Sequence, residues 1–343
     1  MQRAWILSGL VVFGLAVTGV AAQRGGGGTR IPPTGAIERI TDNLYKIGGA
    51  GSNTTVFVTD DGVVLVDTKL ASNGEAILKQ VQTVTDKPVS LIINTHTHPD
   101  HNGSNDFFKT ARPAVQIVAH ENTRKWVAAN PRANPAMMPD RTYTDRLSLG
   151  SGKDRIELYY FGAGHTNGDA FVVFPSVRAM NVGDLMAWNM APLIDPATGG
   201  SVVALPDTLE KAAKGIRDVE LVIEGHGNVN SWQGFREYAE FNRALLTAAK
   251  TALSRGQTPE QALAELEKNP RFAVFLKDEL LKDLEYGGTP KSRALINLNV
   301  AFQELKGEPV TTNFGPPRGG GAGAAPRGTG PAPAPPAPAP PGR

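Results

Sequence analysis

Short apolar runs punctuated by turn residues fill the first two-thirds of the chain, and apolar residues at helical spacing fill the last third. Ile37-Glu-Arg-Ile40 and Leu44-Tyr-Lys-Ile47 read as strands. So do Thr55-Val-Phe-Val-Thr59 and Val63-Val-Leu-Val66, joined by the turn Asp60-Asp61-Gly62. A helix is predicted with Ser72 as its N-cap, running through Glu75-Ala-Ile-Leu-Lys-Gln-Val81. The β-branched run Val89-Ser-Leu-Ile-Ile-Asn-Thr95 reads as a buried strand, and Arg155-Ile-Glu-Leu-Tyr-Tyr160 alternates as a half-buried one. Ala179-Met-Asn-Val182 and Leu221-Val-Ile223 are short apolar strands, the first followed by Gly-Asp and the second by Glu-Gly-His. Helices are predicted over Asp207 to Ile216, Trp232 to Leu253, Pro259 to Glu267 and Ser292 to Leu305, with the apolar face between Phe235 and Leu246 assigned to the core. Strands in the middle with helices outside predict an α/β chain, a four-layer αβ/βα sandwich with a helical C-terminal extension.

The ends differ from this pattern. Residues 1–22 carry Arg3, the apolar stretch Trp5 to Val17 and the small residues Val20-Ala-Ala22 before Gln23, which reads as a secretory signal peptide. Its apolar core is too short for a stable membrane span, so a periplasmic or secreted protein is expected. Residues 23–35 form a Gly/Pro-rich linker and residues 309–343 a Gly/Pro/Ala-rich tail, both expected to be disordered. What remains, 36–308, is the length of one large domain. A net charge of +2 without long basic runs argues against a nucleic-acid partner. The chain has no cysteine, hence no disulfide, and stability outside the cytoplasm must come from core packing and bound metal.

The chemistry concentrates in His96-Thr97-His98-Pro99-Asp100-His101, which holds three of the chain's six histidines. It follows the predicted strand Val89–Thr95, and in extended backbone positions two apart face the same way, so His96 and His98 can address one ion. Pro99 is expected to keep His98 extended and delay any helix, leaving Asp100 and His101 beyond the bend for a second ion. Without thiolates, further ligands must be His, Asp or Glu, a donor set suited to zinc, iron or manganese. His165 lies in the Gly-rich turn Phe161-Gly-Ala-Gly-His-Thr-Asn-Gly-Asp169, while Asp184 and His226 follow the short strands at 179–182 and 221–223. His120 fits no ligand position and is expected to be structural.

His96-x-His98-x-Asp100-His101, the Gly-His-Thr at His165, the Gly-Asp at Asp184 and the Gly-His-Gly at His226 resemble, in order, the signature of the metallo-β-lactamase superfamily. The resemblance spans about residues 37 to 230. It implies that His96, His98 and His165 hold one metal, that Asp100, His101 and His226 hold another, and that Asp184 bridges the two. Resemblance to the family's strand-end aspartate implies that Asp67 orients a ligand imidazole. The absence of cysteine excludes the β-lactamase subclass with a cysteine ligand. An aspartate bridge looks more like the glyoxalase II and lactonase branches, or the periplasmic hydrolases labelled cyclase or quinoprotein-relay type. The segments Gly164–Phe174, Val182–Met186 and Gly199-Gly-Ser201 fit the last group best.

The function this resemblance implies is an exported, dinuclear metal-dependent hydrolase, most simply with zinc. A metal-bridging hydroxide attacks the carbonyl of an ester, lactone, thioester or β-lactam, and Asp100 orients the water. The apolar loop Leu185–Ile194 offers either buried structure or a substrate wall, the latter through Trp188 and Met190. Rival expectations are a mononuclear iron oxygenase of the persulfide dioxygenase kind, a true zinc β-lactamase, a nuclease, for which basic channel residues are lacking, and an exported binding protein in which metal only staples the fold. Closed structural zinc sites generally recruit thiolates, which disfavours the last. The partner is expected to be a small molecule; oligomeric state is not encoded in any recognisable pattern.

Overall fold

A computed structural model describes residues 33–130, 134–277 and 289–310. The expected signal peptide at 1–22, most of the linker and nearly all of the tail lie outside the described residues. The first sheet contains β1 (Ile37–Arg39), β2 (Leu44–Ile47), β3 (Thr54–Val58), β4 (Val63–Val66), β5 (Val89–Ile93), β6 (Gln116–His120) and β7 (Arg141–Tyr143), in that spatial order. The second contains β8 (Arg146–Leu149), β9 (Ile156–Tyr159), β10 (Phe171–Phe174), β11 (Ala179–Asn181), β12 (Leu221–Ile223) and β13 (Val229–Ser231), ordered from β13 to β8. Helices α1 (Gly74–Gln82), α2 (Pro99–Asn102), α3 (Asn105–Ala111) and α4 (Glu121–Ala129) belong to the first half; α5 (Leu205–Gly215), α6 (Trp232–Ser254), α7 (Pro259–Glu267), α8 (Ala273–Leu276) and α9 (Pro290–Lys306) belong to the second.

Strand alternation builds the layers. Val64 and Val66 of β4 turn inward with Phe57, Ile93 and Val118 to meet Leu158, Val172, Phe174 and Ile223 of the opposite sheet. Their neighbours Val63 and Leu65 turn outward with Ile92 and Ile117 against Ile77, Val81 and Phe108 of α1 and α3. On the other side, Phe171, Val173, Met180 and Val222 pack against Leu209, Phe235, Leu245 and Leu298 of α5, α6 and α9. The result is the αβ/βα sandwich with helical C-terminal part that the pattern predicts.

β4 and β5 are parallel, as are β11 and β12, so each pair delivers its C-terminal ends to one edge. Asp67 directly follows β4, and the hexapeptide starts three residues after β5; Asp184 and His226 each stand three residues past β11 and β12. Parallel strands therefore gather residues more than a hundred positions apart at one sandwich edge.

Two local expectations need correction. The first helix is N-capped by Asn73, because Ser72 adopts a left-handed φ of 69°, which an N-cap residue does not use. Pro99 does not delay the helix but opens α2 at its first position, where its missing N–H costs no hydrogen bond, so Asp100 and His101 are helical. Other predicted ends shift by one or two residues.

Candidate metal centre

Five of the six histidines and two aspartates meet at the sandwich edge. His96 Nε2 lies 3.2 Å from His98 Nδ1, and His165 Nε2 lies 3.2 Å and 2.8 Å from those two atoms. Three imidazole nitrogens this close are poor mutual hydrogen-bond partners, yet a tetrahedral ion with bonds of ~2.0–2.1 Å separates its ligands by roughly 3.3 Å. Beside them, His226 Nε2 lies 3.4 Å from Asp100 Oδ2, and His101 Nε2 lies 3.8 Å from the same oxygen. Asp184 sits between the two groups: Oδ2 is 3.2 Å from His226 Nε2 and 3.7 Å from His165 Nε2, and Oδ1 is 3.2 Å from His101 Nε2. Within each of three triads, His96/His98/His165, His96/His101/Asp184 and Asp100/His101/His226, the ligand atoms lie within 4.8 Å of one another.

The outer nitrogens decide which ring atoms face this pocket. Asp67 Oδ2 accepts from His101 Nδ1 at 2.7 Å and from Thr95 Oγ1 at 2.7 Å, while Asp67 Oδ1 accepts from Thr95 N at 2.8 Å. Thr95 Oγ1, its proton committed to Asp67, is placed to accept from His96 Nδ1 at 3.0 Å. His98 Nε2 donates to Asp195 Oδ2 at 2.9 Å, and His165 Nδ1 donates to the Leu193 carbonyl. With protons assigned outward by this network, the inward nitrogens of all four rings present lone pairs when the rings are neutral, the form that binds a cation.

The donor set fits divalent cations. His101 Nε2 and Asp184 Oδ1 are both buried with no hydrogen-bond partner, since their mutual approach lacks the required geometry. A buried imidazole nitrogen and a buried carboxylate oxygen left without partners cost free energy unless something else binds them. The field has two halves. Burial and the surrounding imidazoles hold His96 well below its ordinary pKa and His165 down to about 4, so both stay neutral. Burial also disfavours the cations of His101 and His226, but the facing Asp184, Asp67 and Asp100 outweigh it, raising His101 strongly and His226 to about 9. Without metal, protons on these rings balance the buried carboxylates.

Glycines let the backbone close around the pocket. A Cβ on Gly225 would lie 2.0 Å from Asp184 Oδ1, and Gly183 has a φ of +50° with Thr95 Oγ1 at 2.7 Å from its would-be Cβ. The proposed substrate wall divides. Met190 is fully buried and cannot line a cleft, because the Leu185–Ile194 loop turns most of its apolar side chains, Met190 among them, away from solvent. Trp188 is half-buried and stacks on His226 with ring centroids 4.3 Å apart. His120 stays apart from the cluster: Nε2 bonds the Thr144 carbonyl and Nδ1 accepts from Asn122 N at the start of α4. Asp195, Thr95 and the Leu193 carbonyl escaped sequence reasoning. Asp195-Pro196 does carry an N-cap signal, and its Oδ1 accepts from Ala197 N, but nothing local shows that Oδ2 reaches His98.

The chain is similar in sequence and fold to several known proteins. The chain is 32% identical to the 2,4-dinitroanisole O-demethylase subunit alpha of Nocardioides sp. (strain JS1661) over 175 residues, 48% of this chain and 49% of that protein, so it spans about half of that relative's length. It is 26% identical to the metallo-beta-lactamase type 2 of Bacteroides fragilis over 205 residues, covering 56% of this chain and 79% of the relative. Among solved structures, the metallo-beta-lactamase from Pontibacter korlensis superposes with a TM-score of 0.53 at 20% identity, over 62% of this chain and 99% of that one. A double mutant of the sec-alkyl sulfatase PisA1 gives a TM-score of 0.62 at 15% identity, over 79% and 50%. At those identities the structures share the fold. The metallo-beta-lactamase superfamily profile matches residues 47–226, more than half of the chain and every residue of the cluster, and the chain belongs to that superfamily.

Proposed function

We propose that this protein is an exported dinuclear metal-dependent hydrolase of small molecules with an electrophilic carbonyl: an ester, lactone, thioester or β-lactam. The observation that carries this reading is the pair of orphaned buried atoms, His101 Nε2 and Asp184 Oδ1, inside a ring of lone-pair-bearing imidazoles. His96, His98 and His165 would hold one cation, Asp100, His101 and His226 a second, and Asp184 would contact both. Zinc suits this set of nitrogen and carboxylate donors, with iron or manganese as alternatives. Bound divalent cations supply Lewis-acid polarisation of a carbonyl oxygen and a hydrolytic nucleophile from water at neutral pH.

The chain's own groups do the rest. Asp67 and Thr95 hold His101 and His96 from the β4/β5 side, while Asp195 and the Leu193 carbonyl hold His98 and His165 from the loop side, so the ligand frame is set before substrate arrives. Asp100, with a side chain 20% exposed, is the acidic ligand most open to solvent and is placed to orient the attacking water through its carboxylate. The half-buried Trp188 indole borders the same pocket beside His226 and suits a substrate with an apolar portion.

Metal analysis of protein purified without chelators, followed by chromogenic lactone, ester, thioester and β-lactam substrates, tests the reading. Two zinc per chain and turnover abolished by His96→Ala and Asp100→Ala are expected. One iron per chain with oxygen consumption would instead establish an oxygenase, and a metal-free wild type would end the proposal. Export is tested by fractionation, with the mature chain expected to begin at Gln23.

A further inference from the structure

Helix α9 lies beyond residue 226, outside the family profile, yet it reaches the metal centre through the segment after Asp184. Arg293, Asn297 and Glu304 are four and eleven positions apart, which at 3.6 residues per turn aligns them in one stripe. Each grips a different point of one segment. The Arg293 guanidinium lies 5.6 Å from the Trp188 ring centroid, and Asn297 Nδ2 donates to the Pro192 carbonyl at 3.0 Å in a buried contact. Glu304 accepts from Ser201 Oγ at 2.5 Å and from Val202 N and Val203 N at 2.9 Å and 3.2 Å.

That segment supports three of the five clustered imidazoles. Trp188 stacks its indole on His226 and donates its backbone N–H to the His226 carbonyl at 3.0 Å; the Leu193 carbonyl accepts from His165; Asp195 accepts from His98. The turn that carries the indole is strained at Trp188, whose φ of 53° lies in a region that bulky residues avoid unless their surroundings enforce it; Asn189 follows at φ 52°. Asn189 N is tied to Glu224 Oε2 at 3.1 Å, and Arg293 covers the indole. Packing alone would seat α9, since Ala294, Leu298, Ala301 and Phe302 already bury against the helical core. The polar stripe must therefore serve another purpose.

We infer that α9 is a positioning clasp: Arg293, Asn297 and Glu304 fix the 187–203 segment and through it orient His98, His165 and His226. None of the three touches the reacting atoms; they act through Trp188, Pro192 and the backbone at 202–203. The link to metal binding rests on the hydrolase reading, whereas the ordering of the segment does not.

Hydrogen exchange and zinc competition on the full chain test this. In the double variant R293M/N297L, exchange of 187–203 in the metal-free protein is expected to quicken at least tenfold, with β3–β5 and α6 unchanged, and zinc affinity is expected to fall at least tenfold. E304A is expected to do the same, and E304Q, which keeps an acceptor oxygen, to recover most of the loss. Unchanged exchange at 187–203 overturns the clasp, and so does quickening spread evenly over the chain in E304A. If the double variant fails to fold, the E304A and E304Q pair decides alone. Faster exchange with unaltered zinc affinity overturns the orienting role. A wild type that binds no zinc defeats the hydrolase reading, and the exchange data still judge the clasp.

Discussion

Asp67→Asn separates the charge of this buried residue from its place in the fold. Asp67 is fully buried at φ 64°, a left-handed conformation that asparagine adopts at least as readily as aspartate, so the backbone tolerates the change. Its carboxylate accepts three hydrogen bonds, from Thr95 N, Thr95 Oγ1 and His101 Nδ1. An amide can keep one oxygen toward Thr95 N, and its NH2 group then meets the His101 Nδ1 proton. That donor–donor clash is relieved if the imidazole moves its proton to Nε2, the atom facing Asp184, which removes the lone pair a cation needs. Losing such an outer partner typically costs ~10–100-fold in metal affinity, or about 1.4–2.8 kcal/mol. The lost charge-assisted bond adds about 1.5–3 kcal/mol of destabilisation in the metal-free protein. Zinc competition against a chromophoric chelator reads the first quantity, and denaturant melts of the stripped protein read the second. Wild-type zinc affinity in a folded D67N protein would refute the argument that Asp67 sets the His101 tautomer.

Other outcomes follow from the same geometry. Gly225→Ala puts a methyl 2.0 Å from Asp184 Oδ1 and 2.6 Å from the Gly183 carbonyl carbon, so it should displace the carboxylate and abolish binding of at least one metal, at a stability cost of ~1–3 kcal/mol; two tightly held zinc ions in G225A would contradict this. Met190→Ala, at a fully buried site, should cost ~2–5 kcal/mol by denaturant melts, and a surface-like cost below about 0.5 kcal/mol would contradict its place in the core. His226 has a folded pKa raised to about 9 against 6.5 unfolded, so its share of metal-free stability is complete below pH 6.5 and is lost as pH rises through 9. The same proton competes with metal, so zinc uptake at pH 7.5 should release at least one proton, and calorimetry in buffers of different ionisation enthalpy should detect it.

Local sequence carried much of this molecule. The uninterrupted apolar runs Val63–Val66 and Phe171–Phe174, whose side chains must point alternately to the two sides of a strand, require two buried faces per sheet. The close packing of His96, His98, Asp100 and His101 into six residues made a shared pocket legible, because so short a span leaves little room for the side chains to diverge. The glycine-flanked strand ends brought in His165, Asp184 and His226 only by their likeness to a known pattern. Spacing cannot show that residues 69 or more positions apart will meet; the parallel pairing of β4 with β5 and β11 with β12 makes them do so.

Where a feature depended on the path of a loop through space, the chain gave little sign of it. Ser72 read as the N-cap of the first helix and Pro99 as a residue that delays a helix, and neither holds, because helix starts are decided by backbone dihedrals that neighbouring contacts impose. Met190 looked like a candidate cleft residue, but the path of the 185–194 loop buries it completely. The partnership of Asp195 with His98 spans 97 positions, and that of Asn297 with Pro192 spans 105. Sequence by itself determined the strand and helix faces and the ligand-bearing motifs, since these follow from periodicity over a few residues. Tertiary structure alone decided which groups steady the ligands, because a hydrogen bond between distant side chains depends on tenths of an ångström in how whole layers pack, and no local pattern records that.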